Sequence, residues 1–282
     1  SGGKGIDVTG GSNYTIDNNI IYCLGGQGLY DLESSSIVGI RAAGTISNIK
    51  VYYNSVNLYG ETNRPGATGD LCAAVYINNG VTSADIRNNV FSNSIENITG
   101  VNSSYSIYSA ASSGAFSYLD NNDYYASGSE GILGYMNEAE RSTITEWQTA
   151  TGKDAASMNS SPLFYTYSNL VPHSTSPLID AAVSISGYGY DILDSPRNPS
   201  TPTVGAYENG IPSTPMTGTK TIKSSGGDYS NLTDALTELN IRGVASGGIT
   251  YLIESGETFT EPAPLVISAS GYYDKYITFK RN

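Results

Sequence analysis

The sequence is poor in charge, sulfur and histidine. Charged residues make up 14% of the 282 positions, against about 25% in an average soluble domain. There is one His, one Trp and three Met, and the two cysteines cannot supply a four-ligand metal site. Zinc fingers, haem proteins and disulfide miniproteins are thereby excluded. Basic residues number 14 against 26 acidic ones, a net charge of −12. Such a chain gains nothing from counterion release on a phosphate backbone, so nucleic acid is not an expected partner. Anionic membrane surfaces are disfavoured for the same reason. No apolar run approaches the ~18 residues of a membrane span, so no membrane insertion is expected. The opening Ser1–Gly5 is not followed by an apolar signal stretch, and any export signal is expected to lie outside this chain. In place of ion pairs the surface must be built from Ser, Thr, Asn, Gly and Tyr, the last two numbering 32 and 23.

A repeat dominates the first half. The segments Ile16–Ile21, Val51–Val56, Ile86–Phe91 and Leu119–Tyr124 align on Asn19, Asn54, Asn89 and Asn122, at steps of 35, 35 and 33 residues. Each has an apolar residue three before the shared Asn and an apolar or aromatic residue two after. A second set of β-like runs contains Ile40, Val75 and Ile107, with a shorter step to Ile132. Short Val/Ile/Tyr-rich runs separated by Gly, Ser and Asn clusters are strand-and-bend signals, and no helical stripe spans Gly5 to Tyr135. Repeated at a fixed interval, they suit a solenoid in which each coil pairs only with its neighbours. An Asn at a bend can stack on its equivalents and satisfy the next coil's backbone, which makes Asn19, Asn54, Asn89 and Asn122 a candidate structural column. Residues 5–140 are expected to form such coils. The pattern resembles the right-handed parallel β-helix proteins, the pectate-lyase-like architecture.

The spacing changes at Trp147. Trp147, Gly152, Asp154, Ser157, Pro162 and Phe164, then Ser176–Asp180, Tyr190-Asp191, Arg197 and Gly205–Glu208, resemble the closing segment of bacterial secreted β-helix domains. Ile211–Gly218, with two prolines, reads as a linker. Ser230 then reads as the N-cap of an amphipathic helix bearing Leu232, Ala235, Leu236 and Leu239, with Gly243 past its end. Strand-like runs follow at Ile249–Ile253, Leu265–Ile267 and Tyr276–Phe279. With Gly227-Asp228-Tyr229 before it, this part resembles the opening cap of the same family. The expected organisation is therefore all-β: β-helix coils at 1–146, a closing segment at 147–208, a linker at 209–218, and a capping helix near 230–240 with first coils at 219–282. Coils, closure, linker and opening cap in that order suggest part of a tandem array, or subunits meeting head to tail.

Catalytic candidates are sparse. Asp17, Tyr52, Arg87 and Asp120 occupy one column, two residues before each Asn. Coils ~4.8 Å apart place Asp17 and Asp120 ~14 Å from each other, beyond the ~5–9.5 Å of a glycosidase carboxylate pair. The column reads as a surface row with one Arg87–Asp120 contact. No second cation aligns with Arg87 to serve lyase chemistry. His173 has no nucleophile or carboxylate at a triad spacing. Asp191, Asp194 and Asn198 offer oxygens to Ca2+, or form an Asx-rich bend. Cys23 and Cys72, 49 residues apart, do not share a column; two buried thiols are the first reading, with one disulfide left open in an exported protein. Outward tyrosines either stack on sugars or protein surfaces or cover the flanks, and spacing does not separate these.

No catalytic or cofactor-binding set is assigned. The resemblance implies a structural or adhesive repeat module of an exported bacterial surface protein, extracellular or on the cell surface. Its expected partners are further copies, head to tail, and cell-surface glycans. The alternative is a polysaccharide-active or glycan-binding β-helix protein.

Overall fold

A computed structural model describes residues 2–23, 35–62, 70–97, 102–210, 215–260, 265–267, 269 and 274–282. Two compact units divide the chain, Ser1–Gly210 and Ile211–Asn282. Unit one is the all-β parallel β-helix that the repeat implies. Its coils run β1 (Lys4–Val8), β2 (Gly11–Asp17), β3 (Ile20–Tyr22); β4 (Val38–Ala42), β5 (Ile46–Tyr52), β6 (Ser55–Thr62); β7 (Asp70–Ile77), β8 (Val81–Arg87), β9 (Val90–Asn97); and β10 (Asn102–Ser109), β11 (Phe116–Asp120), β12 (Asp123–Ala126). A fifth coil opens with β13 (Gly131–Met136). Three parallel sheets result: β1-β4-β7-β10-β13, β2-β5-β8-β11 and β3-β6-β9-β12.

The 35-residue period works because it returns each apolar side chain to the same place one coil later. Ile16, Val51, Ile86 and Leu119 are successive register partners and all lie in the main core cluster. Ile40, Val75 and Ile107 form a second such column. Each fully buried aliphatic side chain contributes roughly 1.5–3 kcal/mol of burial free energy, so the columns are a main apolar contribution to the fold. Ile132 does not continue the second column. It pairs with Tyr105, and Gly134 stands beside Ile107. A side chain at Gly134 would place its Cβ 2.7 Å from Trp147 Cε3. The glycine makes room for the indole that closes the barrel of coils.

That closure begins earlier than residue 147. β13 turns through Asn137 and Glu138, both left-handed (φ 54° and 58°), into the antiparallel β14 (Ala139–Arg141). Helix α1 (Ile144–Thr151) follows, with a Thr143–Glu146 capping box and Gly152 in the left-handed region at its end. Its buried Trp147 donates from Nε1 to Asp154 Oδ2 at 2.6 Å. Asp154 also accepts from Tyr124 Oη and Ser157 Oγ. Asp154 N bonds Leu119 O and Met158 bridges Asp123 in parallel, so 154–158 completes the fifth coil without regular strand.

In unit two, β15 (Met216–Ile222), β16 (Val244–Ile253) and β17 (Ile277–Arg281) form a parallel sheet in that order, with α2 (Leu232–Arg242) between the first two strands. Ala235, Leu236 and Leu239 pack on Met216, Ile222, Ile249 and Tyr251. Strand β15 starts at Met216, inside the stretch read as linker; 211–214 lie outside the described residues. The cap is Asn231 rather than Ser230, because the Asn231 side chain accepts from Asp234 N at 2.7 Å. Leu265–Ile267 is no strand. These residues are exposed, and Asn240 on α2 donates to Val266 O, tying them to the helix instead of a sheet.

Candidate functional site

Each coil turns from the second sheet to the third through a two-residue step. Its first residue is Asn18, Tyr53, Asn88 or Asn121, all left-handed at φ 52°, 53°, 63° and 53°. Asn tolerates this region better than most residues, which accounts for three of the four. The second residue is Asn19, Asn54, Asn89 or Asn122, whose side chain points along the stack. Asn19, Asn54 and Asn89 each donate from N and Nδ2 to the Oδ1 of the next Asn at 2.9–3.1 Å. Nδ2 of Asn54, Asn89 and Asn122 also reaches back to Ile16 O, Val51 O and Ile86 O. Ser157 Oγ ends the column on Asn122 N at 2.8 Å. Every polar group at this buried corner is thus paired by the same chemistry, coil after coil.

The left-handed residues face outward and hold the closing segment. Asn121 donates to Ala181 O, Tyr53 Oη and Asn88 Nδ2 both donate to Val183 O, and Val183 N returns a bond to Asn88. Asn18 bonds Tyr190 O. Arg197 completes the row. It lies 3.9 Å over the Tyr53 ring and donates to Asn18 Oδ1, Gly205 O, Thr203 O and Glu208 Oε2. Burial lowers its pKa, opposed by Tyr53, Glu208 and Asp191. The segment 181–197 therefore runs back along the coils from the fourth to the first, and Gly205 and Ala206 return to Asn88 O and Ser55 Oγ.

Asp191 gives both carboxylate oxygens to backbone N–H groups of Leu193, Ser195 and Glu208. Asn198 Oδ1 accepts from Ser200 and Thr201, and Asp194 takes the left-handed turn position. These are the bonds of an Asx-rich bend, and no group of three His, Cys, Asp or Glu among the described residues has a metal-site arrangement. Arg87 and Asp120 are register partners, but Arg87 forks onto Asp85 with two 2.7 Å bonds, while Asp120 accepts from Asn121 N and Ala156 N. The pair at i and i+2 wins because both side chains leave the same face of one strand. Cys72 is buried and Cys23 is exposed, both free, which corrects the reading of two buried thiols. His173 sits beside Tyr165 at 5.5 Å between ring centroids, its Nδ1 buried without a partner. Three tyrosines, Tyr76, Tyr108 and Tyr135, stack across the first sheet at 5.4 and 4.4 Å and belong to a cluster separate from the core.

Asp123 is fully buried, with Oδ1 on Ser160 N and Oδ2 unpartnered. Desolvation pushes its pKa up to about 8, against ~3.9 for an unfolded Asp. The native state thus holds this proton, and the stability it contributes is present below about pH 4 and lost as pH rises through 8. Asp154, raised to about 6 by burial, acts in the same direction over a narrower window. Asp123→Asn should therefore flatten the decline in melting temperature between pH 6 and 8. At pH 8 the variant is expected to exceed the parent by about 2–4 kcal/mol. A parent whose stability is unchanged from pH 5 to 8 would contradict this.

A concavity of about 940 Å3 lies on the outer face of the third sheet. Its floor comes from β6 and β9, where Asn57 pairs with Ser92, Tyr59 with Ser94 and Glu61 with Glu96. Residues 161–167 form one wall. That wall is fastened: Asn57 Nδ2 donates to Tyr167 O at 2.9 Å, and the Tyr59 and Tyr167 rings lie 5.0 Å apart. Glu96 accepts from Ser129 N at the far side. These residues escape a search centred on the Asn column, although Tyr59/Ser94 and Glu61/Glu96 keep its 35-residue step. No family model, curated protein or solved structure matches the chain.

Proposed function

We propose that this solenoid is a structural or adhesive module of an exported cell-surface protein, extended by stacking coils end to end. The observation that carries the reading is the asymmetry of unit one. At its far end β14, α1 and Trp147 close the stack. At its near end β1, β2 and β3 each lie at the edge of a sheet among the described residues. There Ile6, Val8 and Tyr14 are half-buried, whereas their partners Ile40, Ala42 and Ile49 are fully buried. A core column that ends half-covered presents apolar surface and backbone donors together, the requirements of one more coil. In unit two β17 also stands at a sheet edge, with Tyr276 and Phe279 exposed. A strand of β17 type laid on β1 satisfies both edges, whether flanking chain or another copy supplies it. The low charge and the resemblance to β-helix repeats of exported bacterial proteins support the surface setting.

Head-to-tail contact of this kind adds copy after copy, into an open filament or a ring according to its rotation. Light scattering at rising concentration should show mass growing beyond a dimer, and Ile6→Lys, a charge on the edge strand, should return the chain to monomer. A monomer at every concentration, unaffected by Ile6→Lys, would refute end-to-end stacking.

A further inference from the structure

We propose that the groove on the third sheet binds a neutral oligosaccharide. This goes beyond end-to-end assembly, because the groove lies on a sheet face and is present in a single copy. Its volume of about 940 Å3 is at the top of the ~300–1,000 Å3 range of small-ligand pockets, so it suits a chain of sugars better than one ring. Tyr59, Tyr165 and Tyr167 supply flat faces with polar rims, the surface on which the C–H face of a pyranose stacks. Glu61, Glu96 and Asn57 supply hydrogen-bond acceptors and a fixed amide for sugar hydroxyls.

Charge and backbone pairing narrow the ligand class. No Lys or Arg is among the described lining residues, while two carboxylates are. A uronate, sulfate or phosphate would face like charge without a counter-ion, an unfavourable contact. A peptide adding as a strand needs an open sheet edge, whereas the groove opens over the face of the paired floor strands, β6 with β9 from Ser55↔Val90 to Thr62↔Asn97. A neutral glycan needs neither a cation nor a free edge. The wall is also held before any ligand arrives, by Asn57 on Tyr167 O and by Tyr165 N on Val171 O at 2.9 Å, which lowers the ordering cost of binding.

The test is titration calorimetry of the whole chain with neutral hexasaccharides (gluco-, xylo-, manno- and N-acetylglucosamine series) and with a hexagalacturonate. At least one neutral series is expected to bind with Kd below 1 mM, and the uronate at least tenfold more weakly. Tyr167 is 68% exposed, and its backbone oxygen stays on Asn57 Nδ2 when the ring is removed. Tyr167→Ala should weaken neutral binding tenfold or more, while Tyr190→Ala, also exposed but outside the groove, should leave it unchanged. Glu61→Gln should narrow the preference over uronate. Absence of binding in every neutral series, preference for the uronate or for a peptide library, or a Tyr167→Ala variant that binds normally would each overturn the proposal. None of these results bears on the scattering experiment, so the two readings fail separately.

Discussion

Replacing Asn89 by alanine should destabilise unit one by roughly 3–5 kcal/mol, a large part of the 5–15 kcal/mol typical of a whole domain. Asn89 is fully buried. Its Oδ1 takes Asn54 N and Nδ2, and its Nδ2 serves Val51 O, Arg87 O and Asn122 Oδ1. Alanine leaves the Asn54 backbone N–H buried without its acceptor, at about 1–3 kcal/mol, strips Asn54 Nδ2, Val51 O and Asn122 Oδ1 of one bond each, and opens a cavity in addition. Urea unfolding measures the loss. Asn89→Asp keeps the acceptor but turns a carboxylate toward Val51 O and Asn122 Oδ1, so it should be as damaging at pH 7 and partly recover in acid. Asn19, half-buried at the end of the column, loses no backbone acceptor role and should cost only about 1 kcal/mol. Equal effects at Asn19 and Asn89 would show that the column is not cooperative packing but a row of independent surface contacts.

Arg197→Met is expected to cost a similar 3–5 kcal/mol, because it leaves Glu208 buried without its cation. The methionine keeps the stem over Tyr53, so the loss isolates the charge and the bonds to Asn18, Thr203 and Gly205. Those bonds join the first coil to the end of the closing segment. Their removal should expose residues 181–206 to proteolysis before the coils themselves unfold. Limited digestion followed by mass spectrometry reads this directly. Cleavage confined to the coils, with 181–206 still protected, would show that other contacts hold the segment.

The parallel coils were legible because a solenoid writes its geometry into its spacing. Residues 35 apart must share a column, so Asn54 and Asn89 announce one another. What depends on chain folded back across the coils leaves no such period. The wall at 161–167 meets Asn57 from 110 residues away, and Arg197 meets Asn18 from 179. The groove and the clamp therefore emerge only in three dimensions. Other differences are local. Thr143 and Glu146 spell a capping box, but α1 has eight residues and too little stripe to stand out. The column spacing pairs Arg87 with Asp120 across coils, while Asp85, on the same face of its own strand, lies nearer. Ile132 kept the apolar character of its column but not its register, because the space beside Ile107 belongs to Trp147.

Through-space NMR contacts between coils test parallel stacking through the Asn column most directly. Side-chain amide protons of Asn54 should contact both Asn19 and Asn89, and those of Asn89 both Asn54 and Asn122, with each step 33–35 residues. These amides should also exchange slowly with solvent, while that of the exposed Asn13–Asn48 contact exchanges fast. Contacts between repeats whose residue numbers run in opposite directions, the signature of antiparallel pairing, would contradict the fold and everything built on it.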